Sequence, residues 1–299
     1  QQEEIAVLIN GIPINDMNAG RVFWSNWAGM GDILRTMQVQ RGLGATRLAI
    51  NSVGGTINMV TKTTDLEKGG FVTAETGSIY NKVTVGLNTG RMDNGLSASF
   101  VGSRTAGDGY IDQTYVDAWS YFFSISKELG DRHLLTYYLF GAPQEHGQRL
   151  YQQGFDEVWD QKDNTYNPNW GYWNGQIEHE RVNFYHKPQT AIQHSFMVNE
   201  KGKLVTSVYG SWGRGGGSGT LSDTDLAGNR NRLGNDPDYN DQMNFDAFAA
   251  NNVDGTDIAY VYDEQGRITE TIEGNRAYSI LRNSWNNHNW YGIMSVYEQ

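Results

Sequence analysis

The residues that most resemble catalytic machinery are two carboxylates on either side of an imidazole, Glu178, His179 and Glu180. A glycosidase pair is defined by the separation of its carboxylates in space, which positions along the chain do not provide. Ser195 follows His194, but neighbouring residues of a strand point to opposite faces and cannot act together as nucleophile and base. The six histidines show no HExxH spacing, and no Walker sequence is present. The sequence therefore predicts a protein that is not an enzyme.

Acidic residues cluster in the region 223–241, and carboxylates offer the oxygen ligands that Ca²⁺ prefers. Asp223 and Asp225 with Gly228 begin like a calcium loop, but Ala227 stands where a third ligand is needed and no Glu closes the loop. The region is therefore predicted to be a solvated acidic surface or a docking site for a partner protein, with Ca²⁺ as the alternative. No other cofactor or metal is expected.

Aromatic residues are the candidates for ligand binding, because their rings stack on sugar faces and on apolar side chains. The segment 144–189 is dense in such rings, and two tryptophans lie in a polar loop after Pro13. The predicted substrate-binding residues are Trp24, Trp27, Tyr166, Trp170, Tyr172 and Trp173. The alternatives are that the rings of 144–189 pack on one another or form a membrane-interface girdle, and that the two tryptophans fill the core of a small domain.

Charge and composition restrict the class of protein. The 299 residues carry a formal net charge of −11 and no cysteine, so neither nucleic-acid binding nor a disulfide or thiolate site is expected. No signal peptide opens the sequence, and no run of about 18 apolar residues predicts a membrane helix. The mean hydropathy of −0.59 is compatible with a membrane barrel, whose strands alternate apolar lipid-facing with polar lumen-facing residues.

Strands of membrane length are predicted from Gly69 onward. In 118–127 the odd positions are mostly large and apolar and the even positions small, with Phe122 as the one large residue on the polar face. Outer-membrane barrels have short periplasmic turns and longer extracellular loops. The sequence shows this alternation, with short turns at 91–95, 129–132 and 199–203 between connections at 78–81, 105–115, 144–189 and 214–287. It therefore predicts an antiparallel barrel with two very long loops, 144–189 and 214–287.

The segment 37–62 contains the pattern V-x-R-G, a spacer and G-G-x-I-N-x-x-T-K, carried by Val39, Arg41, Gly42, Gly54, Gly55, Ile57, Asn58, Thr61 and Lys62. Upstream, the residues 7–13 read VLINGIP, which is typical of a strand and turn. Together these segments resemble the end of the plug domain of TonB-dependent outer-membrane receptors, where Asp is frequent in place of Asn10. Within the plug, Asp32 is predicted to be the N-cap of a helical turn to Thr36, and 45–51 is predicted to be a short helix.

The resemblance implies a mainly β fold in two domains. Residues 1–66 correspond to the C-terminal part of a plug, a small α/β unit, and 67–299 to the N-terminal part of a transmembrane β-barrel with about eight strands. Because plugged transporters have about 22 strands, the sequence is expected to be a fragment of such a barrel. Arg41 is expected to contact the barrel, and the plug motif comprises Gly42, Gly54, Gly55, Asn58 and Lys62.

The resemblance also implies a function. Such a receptor lies in the lipid of the outer membrane of a Gram-negative bacterium and imports a nutrient, here an oligosaccharide, a peptide or a siderophore-like ligand. Its partner is the TonB complex, which binds a segment missing from this chain, and further partners are a surface lipoprotein lid or other outer-membrane subunits. Two alternatives stay open: a receptor-like barrel that serves as an assembly subunit of a surface or secretion complex, and a soluble carbohydrate-binding β-protein.

Overall fold

The structure is a computed structural model that describes residues 2–42, 52–62, 67–150, 164–220, 242–254, 256–263, 265, 267–275 and 280–299. The described residues form sheets of four, eleven, three and two strands. The predicted fold class is confirmed: the chain is mainly β, with a small unit containing short helices followed by antiparallel strands of the kind found in plugged barrels. No helix in the described part of the chain is long and apolar enough to cross a membrane.

The N-terminal unit, residues 2–62, is built on the four-stranded sheet, in the order β2-β1-β4-β3. Its strands are β1 Ile5–Ile9, β2 Ile12–Pro13, β3 Leu34–Arg41 and β4 Gly55–Thr61, of which β1 and β4 run parallel. A 3₁₀-helix, Gln2–Glu4, precedes β1. A second 3₁₀-helix, Trp24–Trp27, and a short α-helix, α1 Met30–Ile33, lie between β2 and β3. Asn10 and Gly11 form the β1–β2 turn with φ of 51° and 81°, the left-handed conformation that a two-residue hairpin turn requires.

Polar residues of the plug motif join the strands of the N-terminal unit. The Thr61 backbone N–H donates to Asn10 Oδ1 (2.9 Å), and Asn10 Nδ2 donates to Thr61 Oγ1 (3.0 Å). Asn58 Oδ1 accepts the Gly11 N–H (3.1 Å), while its Nδ2 donates to Gln38 Oε1 (3.2 Å). The motif therefore serves the small sheet itself, because its amides satisfy buried backbone and side-chain groups.

The helical turn predicted from Asp32 to Thr36 is wrong. Helix α1 begins after Gly29, whose φ is 78°, and Asp32 lies inside the helix instead of at its N-cap. From Leu34 onward the chain is in β3, because it pairs with β4 in antiparallel register. The short helix predicted for 45–51 lies outside the described residues.

The eleven-stranded sheet, called here the large sheet, contains eight strands of 8 to 18 residues and three short ones. The strands after β4, in chain order, are β5 Gly69–Thr76, β6 Asn81–Asn88, β7 Leu96–Gly107, β8 Val116–Leu129, β9 His133–Gly141, β10 Gln144–Gly147, β11 Trp170–Trp173, β12 Gln176–His179, β13 Val182–His186, β14 Gln189–Met197, β15 Lys203–Thr220, β16 Met243–Asn244, β17 Thr256–Tyr262, β18 Ile268–Asn275, β19 Leu281–Trp285 and β20 His288–Glu298. A second helix, α2 Phe245–Asp254, follows β16. Strands β10, β13 and β19 are the three short members of the large sheet, while β11, β12 and β16 form the three-stranded sheet.

The two long excursions predicted as loops contain regular structure, which corrects the prediction. The region 144–189 holds β10 to β13, and 214–287 holds the end of β15, β16 to β19 and α2. Strand β15 continues to Thr220, into the region predicted as a loop from 214, because β13 pairs with one of its edges and β19 with the other. These long-range pairings carry no signal in the local sequence.

The consecutive long strands are antiparallel, so their connections lie alternately at the two ends of the strands, called here the two edges of the large sheet. The connections at 89–95, 130–132 and 198–202 lie at one edge. Those at 77–80 and 108–115, together with the two long excursions, lie at the other. Both long excursions therefore lie at the same edge, as the long loops of outer-membrane barrels lie on one side of the membrane.

Candidate functional site

The N-terminal unit packs against one face of the large sheet, called here the inner face. A single apolar core joins them. The N-terminal unit contributes Val7, Ile9, Ile12, Ile14, Val22, Trp27, Met30, Ile33 and Met59, and the large sheet contributes Val101, Phe122, Tyr138, Phe140, Ala142 and Ala191. The rings of Trp27 and Phe140 stack with centroids 5.7 Å apart. The inner face is therefore apolar where the N-terminal unit covers it.

Phe122 explains the exception in the alternation of β8. Its neighbours on the inner face are small, and Ser120 and Ser124 are buried like Phe122 itself, which is 1% exposed. Phe122 belongs to the core shared with the N-terminal unit. A large apolar residue on an otherwise polar face thus marks the place where the N-terminal unit packs.

A partly buried ion pair also links the two parts. Lys82 Nζ on β6 lies 2.5 Å from Asp32 Oδ1 on α1, and the two side chains are 18% and 12% exposed. The backbone carbonyl of Asp32 accepts a hydrogen bond from Lys62 Nζ at 3.5 Å, and the Lys62 N–H donates to the Ile33 carbonyl at 2.7 Å. Lys62 of the plug motif therefore holds the end of β4 to α1, which in turn is bound to the inner face.

A cavity of about 210 Å³ lies between the two parts of the molecule. The N-terminal unit lines it with Asp16, Phe23, Ser25 and Asn26, and the large sheet and its connections with Asn183, Tyr185, Lys187, Gly216, Gly217, Ser284, Asn286 and His288. The lining combines one carboxylate, one ammonium group, the rings of Phe23 and Tyr185, the imidazole of His288 and several amides and hydroxyls. This is the chemistry of a polar small-molecule site.

Asp16 provides the negative charge of the cavity. Its Oδ1 accepts hydrogen bonds from the backbone N–H groups of Asn18 (3.0 Å) and Ala19 (2.8 Å). Partial burial raises the pKa of this carboxyl, but the two N–H donors, together with the charges of Lys187 and His288, hold it below its ordinary value. Asp16 is therefore ionised at neutral pH, and its carboxylate also fixes the turn 16–19.

Lys187 provides the positive charge. It lies between β13 and β14, outside the long strands, and its side chain is 4% exposed. Burial lowers the pKa of its ammonium group, and the charge of Asp16 partly opposes this change. Within the described chain, Lys187 Nζ has no hydrogen-bond partner and no carboxylate within 4.0 Å. The ammonium group faces a polar cavity instead of a protein partner.

The predicted ligand-binding residues of the N-terminal unit lie beside this cavity and do not line it. Trp24 is 50% exposed, and Trp27 is 4% exposed and packs in the shared core. The lining residues are their neighbours Phe23, Ser25 and Asn26. The alternative that Trp27 fills a core fits its contacts, and ligand binding by Trp24 stays a prediction.

The predicted ligand-binding residues of the segment 144–189 lie away from the cavity. Trp170 and Tyr172 on β11 contact each other edge to face with centroids 5.5 Å apart. Tyr166 is half-buried, and Arg149 Nη1 donates to its carbonyl, whereas Trp173 is 47% exposed. The structure brings Trp170 and Tyr172 together, and a ligand role for these four residues stays a prediction.

In the carboxylate–imidazole group 178–180, hydrogen bonds within the protein hold Glu180 and His179. Glu180 is fully buried, where Asn169 Nδ2 donates to its Oε2 (2.7 Å) and the Thr220 hydroxyl donates to its Oε1. His179 contacts Gln113 Oε1 through Nε2 (3.1 Å). Glu180 thereby joins the end of β15 to the segment before β11. In the described part of the chain no group of three or more His, Cys, Asp or Glu residues is placed to hold a metal ion.

Of the other predicted site residues, Arg41 and Gly42 are exposed at the end of β3, so a barrel contact by Arg41 stays a prediction. Gly54 directly precedes β4 and Gly55 begins it. Gly55 has φ of 124° next to the carbonyl of Gln40, where a side chain does not fit. The acidic region 223–241, with its alternatives of Ca²⁺ or a partner protein, lies outside the described residues.

Sequence reasoning missed the cavity and its charged residues. A usable signal was present in NFYHKPQ, because alternation along β13 places Asn183 and Tyr185 on the same face, and Lys187 directly follows the end of the strand. What the sequence did not show is that this face lies opposite the loop containing Asp16. That proximity depends on the packing of the N-terminal unit.

A small mixed sheet packed against the inner face of long antiparallel strands is the architecture of plugged outer-membrane β-barrels, and comparison with solved structures supports this class. The ferric-catecholate import receptor Fiu from E. coli K12 in its open form matches with a TM-score of 0.55 and 14% identity, over 72% of this chain and 33% of that one. The siderophore receptor PiuA from Acinetobacter baumannii matches with 0.53 and 16%, over 78% and 32%. FpvA from P. aeruginosa, bound to heterologous pyoverdines, matches with 0.56 and 14%, over 73% and 30%.

At identities of 14–16%, these structural matches establish the fold alone. The predicted resemblance to TonB-dependent outer-membrane receptors is confirmed at that level. The chain spans about a third of the length of the solved structures that it matches. No protein-family model matches the chain, and no curated protein matches it.

Proposed function

We propose that this chain is part of a TonB-dependent outer-membrane receptor that takes up a small nutrient through a plugged β-barrel. The observation that carries the proposal is the cavity between the N-terminal unit and the inner face of the large sheet. A ligand in this cavity contacts both parts at once. Its binding therefore favours one position of the N-terminal unit over others, which is the coupling that such a receptor needs.

In this proposal residues 1–66 are the C-terminal part of the plug and residues 67–299 are the N-terminal part of the barrel. The outward face of the large sheet supports contact with lipid, because it exposes apolar and aromatic side chains at alternate positions. Examples are Val85, Phe100, Trp119, Tyr291 and Ile293, which are 37%, 42%, 56%, 62% and 72% exposed. The protein accordingly lies in the outer membrane of a Gram-negative bacterium, with the long connections outside the cell.

The TonB complex is the proposed energy source, acting through a segment outside these 299 residues. Fiu is described as an import receptor and PiuA as a siderophore receptor, so a siderophore-like ligand fits the architecture, with an oligosaccharide or a peptide as alternatives. A surface lipoprotein lid over the long connections, or other outer-membrane subunits, remain partners predicted from the sequence resemblance.

The proposal is tested by filling the cavity in the native bacterium. Ser284 on β19 lines the cavity, while its neighbour Asn283 does not and lies on the opposite side of the strand. We expect Ser284→Trp to abolish gene-dependent uptake of at least one limiting nutrient, and Asn283→Trp to retain it. Uptake of carbon, nitrogen and iron sources at limiting concentration is measured in the deletion strain and in both variants.

Loss of the TonB complex is expected to produce the same defect as Ser284→Trp. The proposal fails when the deletion strain takes up every nutrient as the parent does. A different result, in which deletion disturbs another outer-membrane complex while Ser284→Trp has no effect, supports an assembly subunit in place of a transporter.

A further inference from the structure

Lys187 has an unusual combination of burial and isolation. The side chain is 4% exposed, and its ammonium group has neither a hydrogen bond nor an ion pair with any residue in the described ranges. Buried charges are normally paired, because an ammonium group taken fully out of water without a partner is unfavourable. The stem of Lys187 is buried, whereas its Nζ atom stays open to the cavity. Because Lys187 lines the cavity, an anion that pairs with its ammonium group lies inside the cavity.

The rest of the lining offers hydrogen-bonding groups that the described protein does not use. The side chains of Ser25, Asn26, Ser284 and Asn286 make no hydrogen bonds with other described residues. Asn26 is only 7% exposed, whereas Ser284 and Asn286 are open to solvent. Free hydroxyls and amides both donate and accept, which suits the hydroxyl groups of a ligand. Phe23 and Tyr185 add aromatic rings that can cover an apolar ligand face.

The charge balance favours a carboxylate over a phosphate. One ammonium group matches one negative charge, and the ionised Asp16 on the opposite wall repels a second. A phosphate monoester carries close to two negative charges at neutral pH. The cavity is therefore better suited to a singly charged anion.

We propose that the cavity binds a small hydroxylated carboxylate, such as a sugar acid or a hydroxy acid, with its carboxylate on Lys187 and its hydroxyls on Ser25, Asn26, Ser284 and Asn286. This assignment names the ligand class of the proposed receptor and rests on that function for its role in uptake. The binding chemistry itself follows from the cavity and is measured separately.

The experiment compares D-glucuronate with D-glucose, which share a hydroxylated ring and differ by a carboxylate in place of a hydroxymethyl group. Calorimetry on the complete polypeptide in detergent is expected to show glucuronate binding about tenfold or more tightly, the effect of one charge-assisted hydrogen bond. In Lys187→Met the two affinities are expected to agree within about twofold. In Lys201→Met, a change of an exposed lysine in the turn 198–202, the preference is expected to be unchanged.

Three results overturn the assignment: no binding of glucuronate by the wild type, equal binding of glucuronate and glucose by the wild type, or a preserved preference in Lys187→Met. Tighter binding of glucose 6-phosphate than of glucuronate overturns the choice of a carboxylate. Thermal unfolding of Lys187→Met, with Lys187→Gln as a second variant, shows that a lost preference reflects the folded protein. Lys187-dependent binding without gene-dependent uptake removes only the proposed function, and uptake without a carboxylate preference removes only this inference.

Discussion

The Lys187 ammonium group lies at the wall of the cavity. The opposite charge is the Asp16 carboxylate of the N-terminal unit, which lies beyond the distance of an ion pair. Burial lowers the pKa of this ammonium group, and Asp16 partly opposes the change. The side chain consequently loses its charge at a lower pH than an ordinary lysine. Alkaline pH therefore removes the positive charge that binds the proposed ligand.

The affinity for glucuronate is expected to fall as pH rises, beginning below the ordinary lysine pKa of 10.5. The sign follows because a lowered pKa means that Lys187 releases its proton earlier, while the ligand carboxylate and Asp16 are already ionised and do not change. Calorimetric titrations at increasing pH measure this dependence, with glucose as the neutral reference that shows no such fall.

The Lys187→Arg variant is the matched control, because a guanidinium group keeps its charge throughout this range. Glucuronate affinity in this variant is expected to be independent of pH where the wild type declines. A decline of equal size in the arginine variant contradicts the role of Lys187 and directs attention to the other titratable lining groups, Tyr185 and His288.

At the level of elements, helix α1 is the segment of the N-terminal unit that an ion pair joins to the large sheet. Asp32 lies within this four-residue helix and reaches Lys82 on β6, while Ile33 and Met30 enter the shared core. The ion pair and the apolar contacts therefore act on the same short segment. Any movement of α1 away from the inner face exposes both.

Removing one member of this pair is expected to destabilise the packing of α1 by about 3 kcal/mol, because the remaining charge stays buried without a partner. Lys82→Met and Asp32→Leu are the single variants, and the double variant is expected to recover most of the loss. Hydrogen exchange of the amides in α1 and the start of β3 reports the free energy of local opening.

Arg91→Met is the control, because Arg91 pairs with Glu128 on the surface with side chains 65% and 41% exposed. Its effect is expected to be much smaller than that of removing Lys82 or Asp32, because solvent screens an exposed pair. Equal effects for the partly buried and the exposed pair, or a double variant as unstable as the sum of its singles, contradict the assigned role of the partly buried pair.

At the level of the whole molecule, the large sheet has two unlike edges and two unlike faces. One edge carries the short turns and the other the long excursions. The inner face is covered by the N-terminal unit, and the outward face exposes apolar side chains. In the proposed receptor, this asymmetry predicts a direction across the outer membrane, with the cavity on the side of the long excursions.

Cysteine labelling tests this direction, since the 299 residues contain no cysteine. Asp108→Cys lies in the connection at 108–115 and Asp131→Cys in the short turn at 130–132, and both positions are exposed. In intact cells a membrane-impermeant maleimide is expected to label the first and not the second. Both are expected to react after the outer membrane is permeabilised, and labelling of Asp131→Cys alone in intact cells reverses the orientation.

The long strands could be predicted from the sequence because period-two alternation and glycine-containing turns are local properties of the backbone. The alternation predicted at 118–127 lies within β8, and the turns predicted at 129–132 and 199–203 agree with the observed connections 130–132 and 198–202 to within one residue at each end. The region after Trp212 could not be predicted, because the end of β15 is held by strands that lie elsewhere in the chain. The helical turn was predicted too far along the chain for the same reason, because pairing with β4 places Leu34 in β3.

The sequence by itself determined the alternation of the strands, the separation of short from long connections and the plug motif, because each depends on neighbouring residues. Only the tertiary structure decided which exceptions matter. Phe122 interrupts a polar face to join a core with the N-terminal unit, and Lys187 faces Asp16 across a cavity. Such proximities arise from packing between segments far apart in the chain, whose burial and electrostatics no local pattern records.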